Sequence, residues 1–160
     1  MNGDSVTCRT SSGEETICLG RRLGAHLQEG DVIALAGDLG SGKTWFTKGL
    51  ALGLGVSPDQ VVTSPTFALM NAYEGRCMLF HMDVYRLETA ADFLNAGLDE
   101  YLYGNGVSVM EWADRWPEIL PERHLKVRIK ILDEHSREIT LSGHHPEAVS
   151  ILRAVKKEVR

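Results

Sequence analysis

The sequence predicts an α/β fold, a mostly parallel mixed sheet flanked by helices, on the strength of three observations. Two short apolar runs, "DVIALAG" from Asp31 and "GVSVMEW" from Gly106, have the composition of strands buried on both faces. Segments of helical period lie between and around them, and strands alternating with helices place a sheet between helical layers. Near the C-terminus "LKVRIKIL" alternates apolar with basic residues, and "REITLS" pairs with it across "DEHS". That pair reads as half-exposed and antiparallel, which makes the sheet mixed.

The other elements follow in chain order. Val6 to Arg9 reads as an edge strand. Ser12 with Glu15 makes a capping box, and Ile17, Gly20, Leu23 and Leu27 lie along one side of the next helix, which Gly30 ends. Helical "KTWFTKGLALGL" follows a glycine-rich loop, and "SPDQ" makes a turn. "FALMNAYEGRCMLFHMDVYR" reads as two strands joined in a hairpin across Glu74-Gly75-Arg76. "LETAADFLNAGLDEYL" reads as helix. The tail puts Ala148, Ile151, Leu152, Val155 and Val159 on one face of a last helix. With no repeat, low-complexity tract or linker, residues 1–160 read as a single domain.

Composition narrows the function classes. In this chain of 17.7 kDa, 22 acids against 17 Lys plus Arg give a formal charge of −5. That argues against a protein that grips nucleic acid by itself, because phosphate neutralisation needs a basic face. The three cysteines form no CxxC pair, as suits a reducing cytosol. No 18-residue apolar run or signal-peptide pattern is present. The expectation is a soluble, cytoplasmic protein with no membrane role.

The chemistry centres on "GDLGSGKT". Gly37, four residues, then Gly42-Lys43-Thr44 satisfies the phosphate-loop pattern G-x-x-x-x-G-K-[ST], with a strand before it and a helix after it. Glycines let the backbone N–H groups of Asp38, Leu39, Gly40, Ser41 and Gly42 curl round phosphate oxygens, and the helix N-terminus adds positive potential. Lys43 reaches the β- and γ-phosphates, and the Thr44 hydroxyl ligates Mg²⁺. Such a site also needs a carboxylate at a neighbouring strand end. Two candidates exist: Asp83, which period two places on one face with His81 and Tyr85, and Glu111, at the end of an apolar run. Thr66, in "TSPTF", falls where switch segments occur. The tryptophans read as packing residues, and Arg86 as an ion-pair partner.

Several patterns are missing. There is no N-K-x-D motif to read guanine, no D-x-x-G switch, and no arginine-rich lid of the kind small-molecule kinases carry. What remains is a small ATPase. "GDLGSGKT", "SPTF", "HMDVYR" and "MEWADR", in that order and spacing, resemble the TsaE (YjeE) family, and the likeness runs from about residue 11 to residue 142. The resemblance implies a single P-loop NTPase domain that binds ATP and Mg²⁺ and hydrolyses ATP slowly on its own. It implies work with TsaB and TsaD, which transfer a threonylcarbamoyl group made by TsaC onto adenosine 37 of tRNA. ATP hydrolysis would reset the TsaB–TsaD complex between turnovers, and tRNA would be held by the partners.

Carried over by motif, Lys43 holds phosphate, Thr44 and Glu111 are Mg²⁺ ligands, Asp83 and Glu111 are the catalytic acids, and Thr66 lies in the switch. Trp112 follows the glutamate as in the family, where it is linked to activity. The family also places residues of the first helix cap and the last hairpin near the base, here Ser12 and Arg137. Trp45 stands bulky beside the nucleotide. Two other readings stay open from the residues alone: a small-molecule P-loop kinase, and a nucleotide-gated regulatory module.

Overall fold

The run from Val32 becomes a central strand because both of its faces find apolar company. In the computed structural model, which describes residues 3–65 and 69–159, Ile33 and Leu35 enter one core and Val32 and Ala34 the other. The elements in order are β1 (Asp4–Thr10), α1 (Gly13–Ala25), β2 (Val32–Gly37), α2 (Lys43–Gly53), β3 (Met70–Glu74) and β4 (Met78–Asp83). Then come α3 (Ala90–Asn95), α4 (Asp99–Leu102), β5 (Gly106–Glu111), β6 (Leu125–Ile131), β7 (Arg137–Gly143) and α5 (Pro146–Glu158). Two short 3₁₀ turns, Ala113–Arg115 and Pro117–Ile119, follow β5.

One sheet takes the strands in the order β1-β7-β6-β2-β5-β4-β3. The central strands β6, β2, β5 and β4 are mutually parallel. The antiparallel pairings lie to the flanks, β3 on β4 and β7 between β6 and β1, so only β3 and β7 oppose the common direction. The expected hairpins and the expected β1 edge are all present. Helices α1, α2 and α5 cover one face, and α3, α4 and the 3₁₀ turns cover β2, β5 and β4 on the other. No helix among the described residues is long and apolar enough to cross a membrane. The three cysteines are free thiols.

Two helix boundaries differ from the expectation. The first helix stops at Ala25, five residues short of Gly30. Beyond it, Gln28 N donates to the carboxylate of Asp31 at 2.7 Å, and that carboxylate is tied to Arg123 at 2.6 Å. This turn, made by a residue far along the chain, outcompetes another helical turn, and Gly30 (φ 94°) swings the backbone into β2. The segment from Leu87 forms two short helices rather than a continuous one. Thr89 and Asp92 cap α3 reciprocally, and Gly97, at φ 75°, ends it with a left-handed residue. At the start of α1 the box is shifted: Ser12 Oγ accepts from Glu15 N, while Glu15 Oε1 accepts from Ser11 N.

The helix that follows the loop is fixed by depth and by closeness. Phe46 and Leu50 of α2 are wholly buried, worth about 1.5–3 kcal/mol each. On the side facing α1 the helices meet backbone to backbone through Gly20, Gly24, Gly49 and Gly53. A Cβ at Gly49 would collide with the Ile17 carbonyl, which a side-chain rotation cannot relieve. Helix propensity favours Gly49→Ala by about 1 kcal/mol, but overpacking against backbone costs about 1–3 kcal/mol or more. Gly49→Ala should therefore lower the urea midpoint of unfolding, and a raised midpoint would contradict the close packing.

Candidate active site

The parallel register brings the strand ends level. Asp83 of β4 is the Cα partner of Glu111 of β5, and Leu35 of β2 pairs with the same glutamate. Just beyond Leu35 the chain enters the loop at Gly37, where a Cβ would press to 2.5 Å from Ser41 Oγ. Gly40 and Gly42 take φ 80° and 108°, conformations that side-chain-bearing residues avoid. Gly42 leads into Lys43, the first residue of α2, so the loop's amides and the helix N-terminus share one concavity.

Lys43 is nearly enclosed, its side chain 11 % exposed. Its ammonium donates to the Gly37 carbonyl at 2.7 Å, lies 3.7 Å from Glu111 Oε1, and sits 4.6 Å from the centre of the Trp112 ring. Trp112 holds that position through a left-handed backbone (φ 70°), the only such non-glycine among the described residues. Strain of about 1–3 kcal/mol at one residue marks a turn that the surroundings impose. Tyr85 packs against the indole, with ring centres 5.0 Å apart. Glu111 is buried, and its Oε2 meets His81 Nε2 at 2.6 Å.

Asp83 stands at the mouth of this cluster. Burial pushes its carboxyl above the ordinary aspartate range, and the Glu111 charge adds to the rise. A hydrogen bond from Tyr85 N to Oδ1 at 2.9 Å, together with His81 and Lys43, opposes it. Across the cleft, the hydroxyls of Thr44 and Ser64 lie 3.0 Å apart. The cleft between these groups holds about 670 Å³, bounded by the loop, Trp45, Ser64, Asp83, Tyr85 and Trp112. That is ample for a nucleotide.

The other expected site residues take varied places. Leu39 is 93 % exposed at the loop's rim, and Gly40, Gly42, Thr44 and Trp45 line the cleft with it. Asp38 faces a second hollow of about 400 Å³ behind the loop, beside Asp114, Arg128 and Lys130. Ser41, within the loop, is wholly buried. Trp45 lies over Gly13, where a Cβ would come within 2.6 Å of the ring, and so borders the helix cap of Ser12. Arg137 reaches the loop from β7, donating to the carbonyls of Ser41 at 2.9 Å and Gly40 at 3.2 Å, and to Asp133 and Ser136. It braces the loop's shape. Thr66 lies outside the described residues. Tyr85 was expected on the strand face with His81 and Asp83, but β4 ends at Asp83 and Tyr85 is 63 % exposed beyond it.

An enclosed cation at a helix N-terminus, with Glu111 and Asp83 lining the same cleft, is the centre of this site. The comparisons with known proteins give the family. The family model described as "Threonylcarbamoyl adenosine biosynthesis protein TsaE" matches residues 10–139. The chain belongs to the TsaE family. Among curated TsaE proteins, one from Treponema pallidum is 45 % identical over 137 residues, covering 86 % of this chain and 100 % of the relative. One from Bacillus subtilis is 46 % identical over 136 residues, covering 84 % of each. The crystal structure of Bacillus subtilis YdiB superposes with a TM-score of 0.82 at 35 % identity, covering 100 % of this chain and 99 % of that one.

Sequence reasoning gave no role to Ser64 or His81. Both stand inside quoted motifs, and the signal available for His81 was its even spacing from Asp83 on a strand of otherwise apolar neighbours.

The raised Asp83 carboxyl has a consequence for stability. The folded chain holds that proton to a higher pH than the unfolded chain does, so ionising Asp83 at neutral pH opposes folding. Asp83→Asn keeps the acceptor for Tyr85 N and should raise the melting temperature at pH 7 without nucleotide. The gain should vanish as pH falls below the ordinary aspartate range, where the carboxyl is protonated in both states. A loss of stability at pH 7 would contradict the assignment.

Proposed function

We propose that this chain is a Mg²⁺-dependent ATPase serving tRNA threonylcarbamoyladenosine synthesis, and that it hydrolyses ATP to reset a TsaB–TsaD complex between turnovers. The observation that carries the reading is the enclosed Lys43 ammonium, seated at a helix N-terminus with Asp83 and Glu111 across the cleft. Family membership supports the pathway, since the relatives are named as tRNA threonylcarbamoyladenosine biosynthesis proteins.

In this reading the amides of Asp38 to Gly42 and the Lys43 ammonium bind the β- and γ-phosphates. Lys43 exchanges the Gly37 carbonyl for a phosphate oxygen as it does so. Thr44 Oγ1 and Glu111 Oε1 are hard oxygen donors on one cleft, the donor type Mg²⁺ takes when phosphates and waters complete its shell. No three His, Cys, Asp or Glu side chains gather at a metal-holding point among the described residues, which fits a metal that arrives with its phosphates. Bound Mg²⁺ would neutralise charge on the β- and γ-phosphates. Asp83, whose carboxyl holds protons more firmly than usual, orients the attacking water and accepts its proton.

On the base side, Trp45 and Ser12 flank the entrance, and Arg137 contributes by holding the loop. Thr66 belongs to the switch. A chain of net charge −5 leaves tight tRNA binding to its partners, in the cytoplasm.

The test is a reconstitution of the modification with TsaC, TsaB and TsaD over several turnovers. With this chain present the reaction should run through many rounds. Omitting it, or supplying Lys43→Ala, should limit the reaction to about one, because losing a desolvated phosphate-binding cation costs on the order of 2–5 kcal/mol. Many rounds without it would overturn the reading.

A further inference from the structure

Glu111 presents two oxygens to different company. Oε1 lies on the cleft side, 3.7 Å from Lys43 Nζ, and Oε2 is bonded inward to His81 Nε2 at 2.6 Å. His81 stands on β4 opposite Val109, two residues short of Asp83, so its ring reaches diagonally across the β4–β5 ladder to Glu111. The ring is wholly buried, and its Nδ1 has no hydrogen-bond partner among the described residues. As mere filling, an imidazole is a poor choice here. It gives up the hydration of two ring nitrogens and regains one bond, whereas a leucine of similar size would fill the space at no such cost. The bond to Glu111 is what the histidine supplies.

That bond has a geometric effect. The terminal torsion of a glutamate is broad and nearly two-fold, so a free carboxylate would turn and present either oxygen. With Oε2 tied inward, one oxygen stays toward the cleft, and its direction is set before any ligand arrives. We propose that His81 is a positioning residue, whose Nε2–H holds Glu111 Oε2 so that Oε1 faces the metal and the phosphates. The proposal rests on the ATPase reading given above. It assigns His81 no contact with substrate and no proton transfer.

The experiment compares His81→Leu, His81→Asn and His81→Gln, each also placed on Glu111→Ala. Affinity for a non-hydrolysable ATP analogue is measured by calorimetry in Mg²⁺ and in EDTA, and ATP turnover is measured alongside. His81→Leu should lose about tenfold or more of the Mg²⁺-dependent gain in affinity, as loss of a hydrogen bond to a metal-binding carboxylate does. Its affinity in EDTA should be unchanged, and kcat should fall with little change in KM. His81→Asn carries an amide too short to reach Glu111 and should behave the same way, which covers the case in which His81→Leu does not fold. His81→Gln places its amide N–H where Nε2 stands and should recover most of both properties. On Glu111→Ala, none of the three should add a further loss. Wild-type Mg²⁺ dependence and kcat in folded His81→Leu or His81→Asn would overturn the proposal, as would an undiminished loss on Glu111→Ala. A wild-type chain with no Mg²⁺-dependent nucleotide binding would overturn the ATPase reading and the proposal with it. Normal wild-type binding with unaffected variants would overturn the proposal alone.

Discussion

A positive charge kept out of water needs fixed partners, and the Lys43 ammonium has three. They are the Gly37 carbonyl, the Glu111 carboxylate and the face of Trp112. An exposed pair of such charges would be worth about 0–1 kcal/mol. Removing one partner of a buried pair costs about 3–5 kcal/mol, because the survivor is left unpaired. The second figure is the relevant one for a side chain 11 % exposed facing one 3 % exposed. Each partner comes from a different part of the fold: β2 supplies the carbonyl, β5 the carboxylate, the left-handed residue after β5 the indole, and α2 the lysine itself. Under the proposed function, an entering phosphate would replace the Gly37 carbonyl, so the cation would never be left bare.

The placement of those parts is a consequence of parallel pairing. Strands β2, β5 and β4 run the same way; β5 and β4 end level and β2 runs two residues further, which puts Gly37, Glu111 and Asp83 along one rim. Open α/β sheets gather ligand sites at that edge. The loop is then held from two sides. The glycine contacts between α1 and α2 fix the helix below it, and Arg137 ties its carbonyls to the β6–β7 hairpin. The loop's shape is thus set by packing within the chain itself.

Much of this was legible in the sequence because the signals are local. The phosphate loop is a spacing of glycines, a lysine and a threonine, and the strands declare themselves by apolar runs or alternation. The hairpin across Gly75 and the buried face of α5 were readable for the same reason. What was not legible depends on residues far apart in sequence. Helix α1 stops early because Arg123 fixes Asp31, and nothing near Ala25 announces that. The His81–Glu111 bond arises only once β4 and β5 pair in register. Arg137 was expected beside the base, and its contacts to the loop carbonyls depend on where the last hairpin lies. Gly97 was a local signal that went unread: a left-handed glycine divides a stretch whose apolar pattern continues across it.

The central claim is that the enclosed lysine is a phosphate-binding cation. A crystal structure of the chain with Mg²⁺ and a non-hydrolysable ATP analogue tests it most directly. The account predicts a β- or γ-phosphate oxygen about 3 Å from Lys43 Nζ, with the ammonium released from the Gly37 carbonyl and Glu111 Oε1 turned toward the metal. A nucleotide bound elsewhere, with Lys43 still seated between Gly37 and Glu111, would contradict it.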